Sequence, residues 1–579
     1  MNEPTKTKKI HPVKHFWRLL HIHIHEVNSI FVYAFFNGII YLSLPLGIQA
    51  VINLIQGAQV STSWVVLTIL IIAGIAASGF FLIMQLIISE NIQQKIFASS
   101  AFDFAYRFPR LNHEAVDKYV LPELVNRFFD TLTIKKGVSK ILLDYSVAIM
   151  QIIFGLLLLS FYHPFFITFS IISIALIYLI YKFTAKEGLS TSIVESKYKY
   201  KLVHWLEEVG RSTKTFKLAG STELPLVKTD NITASYLKAR KAHFKILVLQ
   251  FIYLAGFKVI LVAVFLIIGG LLVLNQQMNI GQFVAAEIII LMIVTSIEKL
   301  LTGSETFYDV LTSMEKLGEI SDLPLENEDG HIEDADIQPN GLSLEMRNVS
   351  YCYPGAKDKT LSNITFKVSS GQMMGVAGYN GSGKSLLLDL IAGLYSDVSG
   401  SITYNEFPLS NLNMAALRNM IGYSSSVNDI FEGTIYENIS MGRNEISLND
   451  VLKACEPADL LSYVQSLPDG FDTMLLSEGK TLPQSIKLKI ILARCIAKKP
   501  KLILLDDNLD QLATSTRENF LEFLLDKQKG WTIIAVSNDP KLLKILDHVI
   551  VVDQGEIIDA GSYDELSKRN YAPDLFNIK

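Results

Sequence analysis

Apolar positions in the first half of the chain run together in long blocks instead of recurring singly. Six blocks stand out, at about 29–54, 64–88, 144–162, 164–183, 250–274 and 282–302. Lys and Arg are absent from Leu19 to Gln94, from Ile141 to Tyr181 and from Val259 to Glu298. Crossing the ~30 Å hydrocarbon core of a bilayer takes about 20 helical residues. One such block is also what a buried soluble helix presents, but six in one chain read as six membrane spans in contact with lipid. The long connections, 89–143 and 184–249, mix polar and apolar residues at helical spacing and are too long for simple turns. They predict helices that continue past the membrane as rigid levers. Residues 318–340 are acidic and poor in large apolar side chains, the composition of a tether. Beyond them the pattern changes. MMGVAG (373–378) and LILL (502–505) are short apolar runs that read as buried strands, so a separate α/β domain follows the membrane part. The organisation predicted is an N-terminal segment at 1–28, a six-span domain at 29–317, the linker at 318–340 and the α/β domain at 341–579.

Charge orients the spans. The connections after spans one, three and five read QGAQVSTS, YHP and NQQMNIGQ, with no Lys or Arg. The connections after spans two and four are rich in both, as is the N-terminal segment with Lys6, Lys8, Lys9, Lys14 and Arg18. Lys and Arg mark the cytoplasmic side. The expectation is a multi-pass membrane protein with both termini in the cytoplasm. The basic N-terminus precedes a span too long for a signal peptide's apolar region and offers no small-residue cleavage site. HPVKHFWRLLHIHI reads as an amphipathic helix along the inner interface. Its histidines, His11, His15, His21 and His23, with His25 just beyond, tempt a metal reading, but residues two apart face different ways on a helix. Lys258 and Glu287 lie within spans five and six, where ionisable groups usually face a cavity. They either line a substrate path or, for Lys258, snorkel to the inner interface; their heights differ too much for a pair. Cys352, Cys455 and Cys495 all fall in the second half, and a reducing cytosol predicts no disulfide among them. A net charge of −5, with no interleaving of aromatic and basic residues, excludes a nucleic-acid partner.

The chemistry of the second half is carried by GYNGSGKS, 378–385. The spacing is that of a phosphate-binding loop. Gly378, Gly381 and Gly383 let the backbone curl so that successive N–H groups, including those of Tyr379, Asn380 and Ser382, point at one anion. The helix that follows adds its positive end. Lys384 can reach the β- and γ-phosphates, and Ser385 can ligate Mg²⁺. About 120 residues later, KLILLDD ends an apolar strand on Asp506 and Asp507. A strand ending in carboxylates beside such a loop completes an ATP-binding domain, with Asp506 as the second Mg²⁺ residue.

These features resemble the ATP-binding cassette exporters, in the half-transporter form of six spans followed by one nucleotide-binding domain. The resemblance rests on GYNGSGKS, LILLDD, the aromatic of YCYPG, IFEGTIYENI and MNIGQFVA. It is nearest to the type I secretion and bacteriocin-exporter branch, without the N-terminal peptidase domain some members carry, since only about 28 residues precede span one. It implies a type I exporter fold: a six-span helical bundle over an α/β P-loop ATPase with a small antiparallel β-subdomain. It also implies that Tyr353 stacks on adenine. The LEEVGRSTKTFKLAG stretch, 206–220, is then either a docking helix for an ATPase or a solvated bend. Such transporters work as dimers, each ATP lying between the loop of one subunit and the signature of the other.

Against the family pattern, the positions that act on the γ-phosphate are altered. The signature LSGGQ falls on LPQSI, 482–486, counting back from LKIILAR. Pro483 has no N–H to donate, and Gln484 and Ser485 replace both glycines. The Q-loop glutamine falls on Ser426. The glutamate that polarises the attacking water falls on Asp507, one methylene shorter and so a weakened general base. The switch histidine falls on Asn538, and the D-loop reads Asp510-Gln511-Leu512-Ala513. The expectation is an ATP-binding exporter subunit with reduced turnover, moving a peptide, protein or amphiphile. It would pair as a homodimer or with another half-transporter, leaving room for a periplasmic adaptor and outer-membrane channel. The alternative is a nucleotide-gated regulatory or degenerate half with little hydrolysis of its own.

Overall fold

A computed structural model describes residues 12–56, 62–117, 119–326, 330, 341–425, 430–507 and 509–576. The expected Q-loop residue Ser426, His11 and most of the acidic linker lie outside them. The chain divides into two compact units. The first comprises 1–109 and 119–323, the second 110–118 and 324–579.

Among its described residues, the first unit is built of helices. After α1 (Pro12–Ile22), six helices or helix pairs among the described residues are long and apolar enough to cross a membrane. The first is a pair, α2 (Ile24–Tyr41) and α3 (Ser43–Gln56). The sequence reads one span there. The break follows from Pro45, which cannot donate to the carbonyl four residues back. Next come α4 (Thr62–Arg107), the short α5 (His113–Val116, part of the second unit) and α6 (Leu121–Asn126), then α7 (Asp130–Tyr162) and α8 (Phe165–Arg211). After α9 (Thr213–Leu218), α10 (Leu224–Leu274) and α11 (Ile280–Ser321) complete the unit. At ~1.5 Å per residue, the 51 residues of α10 reach about 75 Å, more than twice the hydrocarbon core. Helices continue past the apolar blocks as expected there and in α4, α7 and α8, whereas the middle of the first connection is broken into short helices at 113–129.

Inside the unit, α11 packs along α7, and both bury small residues where they cross. A Cβ on Gly137 would stand 2.2 Å from Val310. Ile289, Ile293 and Ile297 of α11 are fully or almost fully buried. By contrast, Ile69, Leu70 and Ile72 of α4 are 60%, 62% and 61% exposed, an apolar surface that only lipid or another apolar surface can cover. Some polar groups at the helix contacts are paired. Buried Gln250 donates to Thr184 and Tyr308 and accepts from Ser304, at 2.8–2.9 Å. Lys258 does not meet Glu287; it pairs with Glu298 at 3.3 Å, one helix across. The α1 helix is amphipathic as read, with Phe16 and Leu20 packed against Ile92, Ile134 and Met314 while Trp17 stays outside. The α9 helix and its flanks are mostly exposed.

The second unit is built on two sheets. Strands β1 (Leu344–Tyr351), β2 (Leu361–Val368), β4 (Ser399–Tyr404) and β5 (Phe407–Pro408) form an antiparallel sheet in the order β2-β1-β4-β5. Strands β3 (Met373–Gly378), β6 (Ile421–Ser424), β9 (Leu502–Leu505), β10 (Thr532–Val536), β11 (His548–Asp553) and β12 (Glu556–Gly561) form the main sheet. Its order is β12-β11-β3-β10-β9-β6, parallel except for the edge pair β11-β12. The small ribbon of β7 (Gly433–Thr434) and β8 (Met474–Leu475) stands apart. Both faces of the main sheet are covered. Met373 and Ala377 point into one apolar cluster, Met374 and Val376 into another. That is why β3 reads as a continuous apolar run instead of an alternating one.

Candidate functional site

The site forms where β3 leaves the sheet. Gly378 ends the strand against β11 so closely that a Cβ would lie 2.2 Å from the Val552 carbonyl oxygen. The chain then turns through Gly381 (φ +80°) and Gly383 (φ +99°), left-handed conformations that favour glycine, into helix α12 (Lys384–Ile391). The N-terminal N–H groups of α12 face the mouth of this loop, as an anion site requires.

Lys384 is buried, and its ammonium donates to the carbonyls of Gly378 (2.8 Å) and Tyr379 (2.7 Å). Burial holds its pKa below the usual lysine value, with Asp507 and Asp506 opposing that shift. Asp506 follows the end of β9 and is buried. Its Oδ1 accepts from the Ser385 hydroxyl (3.3 Å) and from the Asp507 N–H (2.9 Å). Its Oδ2 is buried without a partner, and so is the Ser382 hydroxyl. Buried polar atoms are nearly always satisfied, and these two, beside the glycine-turned loop, fit a ligand bound there. Asp507 sits at the mouth. Withdrawal from water, together with Asp510 and Asp506, raises its pKa above the usual aspartate value, while Lys384 pulls it down.

Asn538 follows β10 and faces the first glycine of the loop. Its Oδ1 accepts from the Gly378 N–H and its Nδ2 donates to the Gly378 carbonyl, both at 3.0 Å. A side-chain amide has the shape of a peptide group. Asn538 therefore extends the β3-β10 ladder one step past the point where the β10 backbone turns away. Next to it, Asp539 shares Arg517 with Asp510, so the two loops after β9 and β10 are tied through one guanidinium.

Tyr353 lies just past β1, 37% exposed, and packs edge-on against the buried Tyr395 beyond α12. The structure thus gathers the 378–385 loop, Asp506, Asp507 and Asn538 at one end of the main sheet. The 482–486 stretch is not part of that group. Pro483 stands at the start of helix Gln484–Ala497, with Pro483 and Gln484 exposed and Leu482 and Ile486 packed on the core. Sequence reading missed Arg517 and Tyr395. Asp539 before Pro540 carried a helix-start signal that could have drawn attention to it; nothing local marks the other two.

Comparison with known proteins places both units. Residues 27–297 match the family model of the ABC transporter transmembrane region, and 361–510 match that of the ABC transporter. A putative export ATP-binding/permease protein of Rickettsia bellii is 27% identical over 63% of each chain. The lactococcin-A transport/processing ATP-binding protein of Lactococcus lactis is 29% identical over 62% of this chain and 49% of its own. An uncharacterized ABC transporter ATP-binding protein of Bacillus subtilis is 31% identical over 54% of this chain and 53% of its own. The chain spans about half to just under two thirds of the length of these curated relatives. In fold, a bacterial Atm1-family ABC exporter solved with ATP bound superposes with a TM-score of 0.84 over 96% of this chain and 98% of its own, at 18% identity.

Proposed function

For a chain that belongs to the ABC transporters, we propose the role of one half of an ATP-driven exporter that binds Mg-ATP well and turns it over slowly. The observation that carries the reading is the pair of unsatisfied buried atoms, Asp506 Oδ2 and Ser382 Oγ, beside the glycine-turned loop, in a chain whose other unit has six helices able to span a membrane. Gly378, Tyr379, Asn380, Gly381, Ser382 and Gly383 wrap the phosphates. Lys384 gives up its two carbonyls for the β- and γ-phosphates, and Ser385 with Asp506 takes the Mg²⁺. Bound Mg²⁺ neutralises phosphate charge there. Tyr353 takes the base.

Slow turnover rests on the other residues. Asp507 is one methylene short of a glutamate, and a misplacement of ~1 Å at a reacting centre lowers rates about 10²-fold. Asn538 has both amide atoms engaged with Gly378. Pro483 offers no N–H to a phosphate. These same features support a second reading, a degenerate half whose hydrolysis is done by a partner half-transporter. In either case two half-transporters form the working unit, in the inner membrane with both termini cytoplasmic, and α9, exposed in the single chain, is a docking surface in that assembly. The likeness to the lactococcin-A transporter favours a peptide among the cargo classes, and an adaptor and outer-membrane channel would extend the path where the cell has an outer membrane.

The test is a deletion strain complemented with wild type or Lys384→Ala, with secreted material compared. Loss of one secreted species, restored by wild type alone, supports an ATP-driven exporter. Equal complementation by both overturns it. Phosphate release measured with and without candidate partner subunits separates the two readings.

A further inference from the structure

Helices α2 and α4 are tied together within their apolar blocks. The Gln85 side chain of α4 donates to the Ile30 carbonyl of α2 (3.0 Å), and Ser78 donates to Asn37. Phe81 of α4 packs against Tyr33 and Phe36 of α2. Toward the start of α2, a cavity of about 330 Å³ lies between the same two helices. Its walls are mostly polar, with His25, Glu26 and Ser29 from α2 and Asn91, Gln94 and Lys95 from α4. Glu26 and Lys95 form an ion pair there, and both stay in reach of solvent, 24% and 56% exposed.

The apolar block of α2 starts at about 29, and that of α4 ends at about 88. At ~1.5 Å per residue, the charged walls of the cavity lie within about 10 Å of the hydrocarbon boundary, the depth of lipid headgroups. The next turns into the apolar blocks carry apolar side chains on the same faces. Val32 and Phe36 follow Ser29 at helical spacing, and Ile87 and Ile83 precede Asn91 in the same way. All four are about half exposed. A polar cavity holding both signs of charge therefore adjoins an apolar strip made by both helices.

We propose that this cavity binds the headgroup of one phosphatidylethanolamine, held as a structural lipid and not as cargo, with its ammonium on Glu26, its phosphate on Lys95 and its acyl chains along Val32, Phe36, Ile83 and Ile87. The proposal rests on the reading that α2 and α4 cross a membrane. The headgroup exchanges one ion pair for two, so every charge stays balanced. The amides of Asn91 and Gln94 can accept from the ammonium or donate to the phosphate. A phosphatidylglycerol headgroup brings a phosphate alone and leaves Glu26 facing a second negative charge. A phosphatidylcholine headgroup carries both charges, but its quaternary ammonium has no N–H to give to Glu26.

Native mass spectrometry of the full-length protein in detergent, stripped of lipid and then mixed with one phospholipid at a time, tests the site. The three phospholipids carry identical acyl chains, and phosphoethanolamine supplies the headgroup without chains. One phosphatidylethanolamine per chain should be retained, about tenfold more tightly than the other two, the size of one charge-assisted hydrogen bond. Phosphoethanolamine should not bind. Glu26→Gln should lower the affinity for phosphatidylethanolamine to that for phosphatidylcholine, and Lys95→Gln should lower it by a similar factor. Because both variants also break the ion pair between the helices, Asn91→Leu serves as a third that leaves the pair in place and fills the cavity, with the same loss expected at an unchanged lipid-free melting temperature. Equal retention of the three phospholipids, or retention of phosphatidylethanolamine that survives all three substitutions, overturns the site. Tighter retention of phosphatidylglycerol overturns the choice of a zwitterion, and tight binding of phosphoethanolamine overturns the choice of a lipid. A protein that stays monodisperse without detergent overturns the membrane reading itself. That result is distinct from a protein that needs detergent and retains no phosphatidylethanolamine.

Discussion

The two sides of the nucleotide site are built differently. On the proposed holding side, eight consecutive residues, 378–385, and one strand end, Asp506, supply the phosphate-facing groups: Gly381 and Gly383 in left-handed turns, Lys384 buried, Asp506 Oδ2 without a hydrogen-bond partner. On the proposed cleaving side the positions are scattered over 426, 482–486, 507 and 538, and each carries a residue that does less for a γ-phosphate than the family pattern implies. Asn538 is occupied with Gly378, and Pro483 leads a helix with no side-chain cap. A loop that must cradle phosphates is a local object. A hydrolytic centre assembled from several loops fails if any one part is wrong. On the proposed reading, binding and turnover are separable, and each can be perturbed without the other.

The largest effect should come from rebuilding the cleaving side. Pro483→Ser, Gln484→Gly, Ser485→Gly and Ile486→Gln, combined with Asp507→Glu and Asn538→His, restore the family residues in three of the altered motifs. Oxyanion-type donors and a general base each contribute roughly 10²–10³-fold in enzymes. Phosphate release by the purified protein should rise by about 100-fold or more, and Asp507→Glu alone should recover only part. If instead the wild-type protein already turns over at the rate of the rebuilt one, and loses that rate on Asp507→Asn, then Asp507 is a competent base and the contrast collapses.

On the holding side, Lys384→Ala removes the buried ammonium. A hydrogen bond to a charged group contributes about 1.5–3 kcal/mol, so the Kd for Mg-ATP should rise about tenfold or more. Calorimetry reads it directly. Unchanged affinity would mean that Lys384 stays with the Gly378 and Tyr379 carbonyls when nucleotide binds.

This asymmetry also sets what the sequence could reveal. GYNGSGKS and LILLDD are contiguous, and their roles follow from residue type and order, so the loop, its helix and the strand carrying Asp506 were all legible. So were the six spans, because crossing a bilayer constrains a whole stretch of composition. The break at Leu42 was not, since a proline near a helix start reads as permissive until the preceding helix is known to continue into it. Long-range partners were invisible. Lys258 finds Glu298, Arg517 joins Asp510 to Asp539, and Tyr395 meets His113 across 282 positions of chain. No local periodicity encodes such pairs. Asn538 was read as standing at the switch-histidine position, and its two bonds to Gly378 follow from where β10 ends beside β3, which only the sheet order supplies.

Asn538 therefore belongs to both sides at once, and its removal sharpens the comparison. Asn538→Ala leaves the Gly378 N–H and carbonyl without their side-chain partner. Each ordinary hydrogen bond contributes about 0.5–1.5 kcal/mol net, and water replaces part of it at this half-open position. Nucleotide affinity should fall by about threefold to tenfold, less than for Lys384→Ala, with slow turnover no slower. A drop in turnover at saturating ATP, with affinity unchanged, would mean that Asn538 leaves Gly378 to act on the γ-phosphate.

The smallest effect is one of pH, and it asks whether Asp507 is a strained charge in the resting protein. Its pKa is raised, first by withdrawal from water, then by Asp510 and Asp506, with Lys384 opposing. A carboxyl with a raised native pKa holds its proton more tightly folded than unfolded. Its contribution to stability is complete below the unfolded pKa, about 4, and is lost as pH rises through the native value. At neutral pH the ionised group therefore destabilises the nucleotide-free protein. Asp507→Asn keeps the shape and removes the charge. Its melting temperature without nucleotide should exceed that of wild type at pH 7, and the gap should close as pH falls below about 4. A gap that persists in acid would trace the gain to the amide's hydrogen bonds instead of the lost charge. A variant less stable than wild type at pH 7 would mean that Lys384 outweighs burial and Asp510, so that Asp507 already anchors the loop and belongs with the residues that hold the nucleotide.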